Sequence, residues 1–364
     1  MALDVFRGGT IAGMIVVNNP GTWANVYPPL LHAEWHGWTF TDTIFPFFLF
    51  IVGVSIVYAF RRRLAEGVPP RALALHAVRR GAILVALGLA LNLLSFAVFG
   101  REHVRIPGVL QRIGVCFLAA ALVFLWGRAR GSAAAATLLL AGYWGLMTLA
   151  PVPGYGTGRL DRVGNFAAHV DRLVLGAHTW KPGWDPEGPL STLPAIATTL
   201  LGVLAGERLR ASGPMRRKVI GLAGWGAVGA LAGWAWGLFF PINKNIWTSS
   251  YAVLMGGLAA LVLAACLAIV DLAGARRGTG PLVWLGSNPI AAFVLSTALT
   301  IALLGVKVAG PDGKPRSLYS AIYRAVFDRF ADPRLGSLLF AVAYLGLWVL
   351  VCGTLYRRRV FLRV

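Results

Sequence analysis

Acidic residues are scarce in this chain: 14 Asp and Glu stand against 34 Lys and Arg in 364 residues, and only 13% of the sequence is charged. With 57% of residues hydrophobic and a mean hydropathy of +0.69, too little polar surface remains to cover a soluble globule of this size. Cysteine is nearly absent. Cys116, Cys266 and Cys352 sit inside apolar runs without metal-ligand spacing, which argues against a disulfide framework or a zinc site, and no metal is expected. No convincing GxGxxG, P-loop, GxSxG, HExxH or EF-hand pattern occurs, which removes the common nucleotide, hydrolase and metal classes. No inverted internal repeat of the kind many secondary transporters use is visible, and the only low-complexity tract is the alanine run 133–136.

What is present is a succession of long apolar runs. A helical span needs about 20 mostly apolar residues. Spans are expected near 3–19, 39–60, 78–98, 107–126, 133–150, 190–209, 217–239, 248–271, 282–304 and 335–356. The expected fold class is therefore all-α, a polytopic bundle of about ten transmembrane helices in a single domain, 1–364. The first run, carrying an acid and an arginine near its start and no small-residue cleavage site, reads as the first span and not as a removable leader.

A net charge of +20 points to nucleic acid in a soluble protein, but here the basic residues punctuate apolar spans instead of forming a stripe interleaved with aromatics, so no nucleic-acid partner is expected. Arg61, Arg62, Arg63, Arg71, Arg79 and Arg80 crowd one connection. Arg208, Arg210, Arg216, Arg217 and Lys218 crowd another. Arg128 and Arg130, Arg276 and Arg277, and the tail residues Arg357, Arg358, Arg359 and Arg363 fall on the same side if each run crosses once. The positive-inside rule makes that side, with both termini, cytoplasmic. The opposite connections, with long loops at 20–38, 151–189 and 305–334, hold most of the acids.

Those outward loops concentrate the chemistry. Asn18 and Asn19 close the first span, and His32-Ala33-Glu34-Trp35-His36-Gly37-Trp38 leads into the second. Histidine titrates near neutrality, so a loop His beside an Asn amide can deprotonate an amine while the amide orients a carbonyl. The alternative is an interfacial belt of Trp and His, the reading favoured for His36. Asp42, at the head of the second span before Pro46, either caps that helix or faces a ligand. Arg112 lies about 8 Å below the outer end of its helix at 1.5 Å per residue, where a guanidinium needs a polar interior, an ion pair or an anionic ligand. Gln111 adjoins it. Asp185 and Glu187, two residues apart around Pro186, form a rigid turn before the sixth span and are candidate amine or sugar contacts. Asn243-Lys244-Asn245 places one cation between two amides, to pair with one of those acids or with an anionic ligand. Asn288, before Pro289, starts a kinked helix and can bond across the bundle, and Asn92 has the same interhelical reading.

Taken in order, Leu3-Asp4-Val5-Phe6-Arg7-Gly8, Val17-Asn18, His32 to Gly37, Asp42-Thr43-Ile44-Phe45-Pro46, Ile106 to Arg112, Asp185-Pro186-Glu187-Gly188 and Asn243 to Trp247 resemble the heparan-α-glucosaminide N-acetyltransferase-like transmembrane acyltransferases, nearly end to end. The resemblance implies transfer of an acetyl group from cytoplasmic acetyl-CoA, a co-substrate, to a glucosamine-type acceptor across the bilayer. It carries the family's histidine to His32 and its asparagine to Asn18, the two expected catalytic residues. Asn19, adjoining, leaves that asparagine register open by one position. Arg112, Gln111 and Asn288 are then expected along the donor path. Asp42, Asp185, Glu187, Lys244 and Asn243 are expected at the acceptor. No large luminal domain precedes the first span in this sequence, and its long outward loop has no cysteines to staple it, so the expectation is a bacterial-type member in an inner membrane. Its acceptor would be an amino sugar or envelope glycan, and its assembly would admit a homodimer. The alternative from another class is a secondary transporter of a small anionic or amino-sugar solute, with Arg112 and Asp42 as midway contacts.

Overall fold

The computed structural model describes residues 1–310 and 314–362, so Arg363 of the basic tail and positions 311–313 of the last outward loop lie outside the described residues. In chain order the elements are α1 (Ala2–Asn18), α2 (Phe40–Ala65), α3 (Pro70–Phe99), α4 (Val109–Leu149), α5 (Phe166–Leu175), α6 (Thr192–Arg210), α7 (Met215–Trp236), α8 (Ser249–Cys266), α9 (Gly280–Ser287), α10 (Pro289–Gly305), β1 (Lys307–Ala309), β2 (Pro315–Ser317), α11 (Leu318–Val326) and α12 (Pro333–Arg357). Six helices are long and apolar enough to cross a membrane, or seven if α9 and α10, bent by 83° at Asn288, count as one span. The protein is an all-α integral membrane protein with one short antiparallel hairpin, β1 with β2.

Local sequence explains the departures from the apolar runs. Runs 107–126 and 133–150 join in the single element α4, interrupted at Arg128, whose φ of 50° is left-handed. The arginines of 61–63 and 79–80 extend α2 and α3 beyond their apolar cores, because helices continue through charged residues once these reach water. The outward loops fold as well. Asn165 caps α5 by accepting from Ala168 N, and Ser317 caps α11 by accepting from Ser320 N.

With lipid outside, the helices are held by close approach instead of by an apolar stripe. A Cβ added to Gly53 of α2 would lie 1.9 Å from the Thr199 carbonyl oxygen of α6, and one on Gly202 would lie 2.0 Å from that of Phe50. The backbones of α2 and α6 are therefore in direct contact. Gly8 and Gly286 bring α1 against α9 in the same way. The largest core cluster joins α2, α3, α4, α6 and α8 through residues such as Leu49, Leu84, Phe124, Leu200 and Tyr251. A second joins α1, α2 and α6 to α7 and α8 through Phe6, Phe50, Leu209, Leu222 and Leu263.

Pro46 lies inside α2 and has no N–H for the carbonyl four residues earlier, that of Asp42. That freed carbonyl accepts the Tyr251 hydroxyl of α8 at 2.5 Å.

Because the α2–α6 contact leaves no room for a methyl group, Gly202→Ala should destabilise the detergent-solubilised protein by about 1–3 kcal/mol, the usual cost of overpacking. Gly142→Ala, where a Cβ meets nothing within 4 Å, should not. Thermal unfolding of the two variants checks this, and equal midpoints would refute the contact.

Candidate functional site

His32 is held by an acid that the fold manufactures. The Oδ1 atom of Asp42 lies 2.6 Å from His32 Nδ1, while Oδ2 accepts the backbone N–H groups of Ala33 and Thr39, both at 3.0 Å, and the Thr39 hydroxyl at 3.2 Å. The Thr39 contact is the carboxylate half of a capping box, so the residue that starts α2 also grips the loop before it. Asp42 is 1% exposed, whereas the His32 side chain is 48% exposed. A buried carboxylate accepting at Nδ1 selects the tautomer with its proton on that nitrogen, leaving Nε2 as the free base. Asp42, expected at the acceptor, has both its oxygens occupied by protein in this structure and holds the His32 ring.

The loop carrying His32 is anchored from several directions. Gly21 N–H donates to the Ser337 carbonyl at 3.1 Å, Tyr27 Oη to Asp332 at 2.8 Å, Trp35 Nε1 to the Leu160 carbonyl at 2.7 Å, and Gly37 N–H to the Ile242 carbonyl at 2.7 Å. His36 lies 3.4 Å from the Asn243 amide, and partial burial lowers its pKa.

His32 and Asn18 line the same cavity, of about 1000 Å³, together with Glu187 and Lys244. The two adjacent asparagines separate cleanly. Asn18 faces the cavity, whereas Asn19 is buried, its amide donating to the Ile15 carbonyl at 2.8 Å and its oxygen accepting from Thr300 at 2.6 Å. Lys244 is presented by a tight turn in which Asn243 Oδ1 accepts Ile246 N–H at 3.1 Å and Trp247 adopts φ 49°. A bulky residue in left-handed backbone costs about 1–3 kcal/mol, and such strain concentrates at functional sites.

The acids before α6 do not share one role. Arg105 binds Asp185 through two nitrogens, at 2.8 and 2.7 Å, and also pairs with Glu187. Asp185 further accepts Trp180 and Glu187 N–H at 2.7 and 2.9 Å, so its lone pairs are spent. Glu187 reaches the cavity wall. Burial pushes its carboxyl up, but Arg105, Lys244 and Arg112 together hold it below the usual range. Behind this knot lies Asp171, 2% exposed, with one oxygen accepting Asp185 N–H at 2.9 Å and the other without a partner among the described residues. Burial pushes Asp171 up to about 7, with the Asp185 amide acting in the opposite sense.

Four further residues expected at the site contact the protein around them. Asn243 is fully buried in its turn. Arg112 donates through one nitrogen to the Gly188 carbonyl at 3.1 Å and Ser191 Oγ at 2.5 Å, with its guanidinium 5.2 Å from the Trp247 ring centroid, while its Nε and Nη1 are buried without a partner among the described residues. Gln111 donates to the Ile106 carbonyl at 3.0 Å. Asn288 donates to the Val360 carbonyl at 3.2 Å and accepts Leu362 N–H at 2.9 Å, clamping the C-terminal segment. Asp185 joins them as a framework residue. Nothing local in the sequence marks Arg105 or Tyr251, because their importance lies in contacts 80 or more positions away.

The cavity extends far beyond His32. Residues of α2 line it at helical spacing from Thr41 to Arg63, a rise of about 33 Å. Its far end is walled by Arg62, Arg63 and His76, with Arg7 and Arg80 between the two ends. Among the described residues, no group of three or more His, Cys, Asp or Glu is placed to hold a metal ion.

Residues 1–235 match the family model for the heparan-alpha-glucosaminide N-acetyltransferase catalytic region. The chain is 28% identical to heparan-alpha-glucosaminide N-acetyltransferase of Homo sapiens over its whole length, covering 59% of that protein. It is 27% identical to the Mus musculus protein of the same name, again over its whole length and covering 60% of the relative. The chain thus spans about three-fifths of the length of the curated relatives it matches.

Removing Arg105 strands two buried carboxylates, so Arg105→Ala should cost about 3–5 kcal/mol of stability, read by thermal unfolding. For Asp171 the raised folded pKa means that its contribution is fully present below its unfolded value of 3.8 and is lost as pH rises through about 7. Asp171→Asn should therefore flatten the decline in stability between pH 4 and 7, and an unchanged profile would refute the assignment.

Proposed function

Because the chain belongs to the heparan-alpha-glucosaminide N-acetyltransferase catalytic family, we propose that it is a membrane acetyltransferase moving an acetyl group from cytoplasmic acetyl-CoA to an amino sugar or envelope glycan on the opposite side. The observation that carries this reading is one continuous cavity with a carboxylate-oriented histidine at one end and a basic wall at the other. In this reading α1, α2, α3, the two parts of α4, α6, α7, α8, α10 and α12 are ten spans of one domain. The Arg62 and Arg63 end is cytoplasmic, as the basic connections require, and the host is a bacterial inner membrane. A homodimer is compatible with this arrangement.

The chemistry follows from the free Nε2 of His32. As the acceptor nitrogen attacks the thioester carbonyl, Nε2 takes its proton, the C–N bond forms, the C–S bond breaks, and the leaving sulfur receives a proton to give CoA thiol. Asp42 stabilises the imidazolium that forms, as the carboxylate does in Asp-His dyads of acyl transfer. The Asn18 amide donates to the thioester carbonyl as charge develops on its oxygen. Glu187 and Lys244 supply charged contacts for the acceptor at the same end. A two-step route, in which Nε2 is acetylated and then passes the group on, uses the same nitrogen.

His32→Ala should abolish transfer from acetyl-CoA to glucosamine in the extracted, folded protein. Asp42→Asn should retain the imidazole but lose its orientation, lowering kcat by about 10²–10⁴-fold. Wild-type rates in His32→Ala would sink the mechanism, and movement of labelled amino sugar without acetyl-CoA consumption would favour a transporter. A 42-dalton adduct on His32 with acetyl-CoA alone would select the two-step route (the mass of a net acetyl gain, of order tens of daltons).

A further inference from the structure

The basic half of the cavity holds charge that nothing so far uses. Arg7 projects from α1 with its side chain 19% exposed, donating to Asp4 at 3.0 Å, to the Gly286 carbonyl at 3.2 Å and to Ser55 of α2 at 2.9 Å. Arg80 comes from α3 and lies within electrostatic range of Arg7. Its guanidinium sits 4.6 Å from the Phe117 ring centroid, and its Nε is buried without a partner among the described residues. Among the described residues Asp4, paired with Arg7, is the single acid bound to either guanidinium, so two cations share a confined wall with one carboxylate. Holding like charges together in a place of reduced dielectric is unfavourable unless an anion completes the site.

The position of this pair along the cavity identifies the anion. Arg7 and Asn18 lie on one helix and both line the cavity, separated by eleven residues or about 16 Å of rise. In a pantetheine thioester roughly thirteen bonds separate the nearer phosphorus from the sulfur, and at peptide-like extension of three bonds per ~3.5 Å they span about 15 Å. A thioester beside Asn18 and His32 therefore brings a diphosphate to the level of Arg7 and Arg80. Beyond them α2 continues to line the cavity from Ser55 to Arg63, another 12 Å or so, ending at Arg63 and at Arg62, which pairs with Glu66. That remaining length takes a nucleoside, and its arginines take a phosphate on the ribose.

We propose that Arg7 and Arg80 form a clamp for the diphosphate of a pantetheine nucleotide, and that the fixed Arg7 to Asn18 spacing on α1 measures the donor so that its thioester stops at His32. This rests on the reading of the cavity as the donor's path. Each arginine offers two nitrogens to phosphate oxygens, and the partial desolvation of Arg80 makes the contact stronger than one at an open rim. The clamp makes the diphosphate a specificity determinant: a donor that ends at pantetheine reaches His32 with no purchase at the clamp.

The test uses the full chain in detergent and Arg80, since Arg7 also ties α1 to α2 and α9. Binding of CoA, of ADP and of pantetheine is measured by calorimetry for the wild type, Arg80→Gln and Arg80→Lys. Arg217→Gln, at an exposed arginine in the first turn of α7 and outside the cavity, is the control for net charge. The expected result is at least a tenfold weaker binding of CoA and ADP in Arg80→Gln, partial rescue in Arg80→Lys, and wild-type affinity in Arg217→Gln. The KM for acetyl-CoA should rise by at least tenfold more than that for acetylpantetheine. Wild-type CoA affinity in folded Arg80→Gln, or equal losses for acetyl-CoA and acetylpantetheine, would overturn the clamp while leaving the acetyltransferase reading intact. Wild-type protein that binds ADP in an Arg80-dependent way but does not transfer acetyl would support the clamp and overturn that reading. Failure of the wild type to bind CoA or ADP would overturn both.

Discussion

The pairing of a buried Asp42 with a half-exposed His32 is the constraint from which the arrangement of the outer half follows. A carboxylate that is 1% exposed must have its oxygens satisfied, and here one oxygen faces His32 while the other takes Ala33 and Thr39. Meeting that demand fixes the loop against the first turn of α2. The next turn contains Pro46, whose missing N–H frees the Asp42 carbonyl for Tyr251, so α8 is tied to the same residue. Backbone, side chain and neighbouring helix thus converge on one carboxylate, and the imidazole it orients inherits their rigidity.

A second knot stands across the cavity. Arg105 gathers Asp185 and Glu187, and the turn they form supplies the Gly188 carbonyl and Ser191 hydroxyl that receive Arg112. Buried ion pairs of this kind add little net stability, since desolvation offsets most of the attraction, yet losing either partner is severe. Their consequence here is positional. Glu187 is held at the cavity wall by a partner that cannot move, opposite the turn that presents Lys244. Two charges of opposite sign therefore face the cavity beside His32 without neutralising each other in a direct pair.

The apolar runs are legible from sequence because bilayer thickness dictates their length, and each coincides with helix in the structure. The break at Arg128 is not, since a single left-handed residue carries no compositional mark. Local signals reach partway into the site. Asp42 reads as a helix cap, and one of its oxygens does cap α2; the other finds His32 only because Gly37, Tyr27 and Gly21 pin the intervening loop to partners that begin two hundred positions or more away. Arg112 stands out by the cost of a guanidinium inside a helix, and neighbours at Gly188, Ser191 and Trp247 meet part of that cost, leaving Nε and Nη1 without a partner among the described residues. Arg105, lying just outside an apolar run, carries no such signal and organises more of the site.

The cavity joins two different surroundings: an imidazole whose Nδ1 lies against a buried carboxylate, and a wall of arginines. Were they carried on separate mobile loops, each side-chain motion would change the distance between them. They are instead borne on shared helices. Asn18 and Arg7 lie on α1, the His32 anchor and Ser55 lie on α2, and the Arg7 to Ser55 bond at 2.9 Å keeps the two helices in register midway along the cavity. The glycine contacts that bring α1 against α9 and α2 against α6 remove the slack that side chains would introduce. A helix rises by a fixed 1.5 Å per residue, so once its two ends are committed to different chemistries the distance between those chemistries is set by residue count alone.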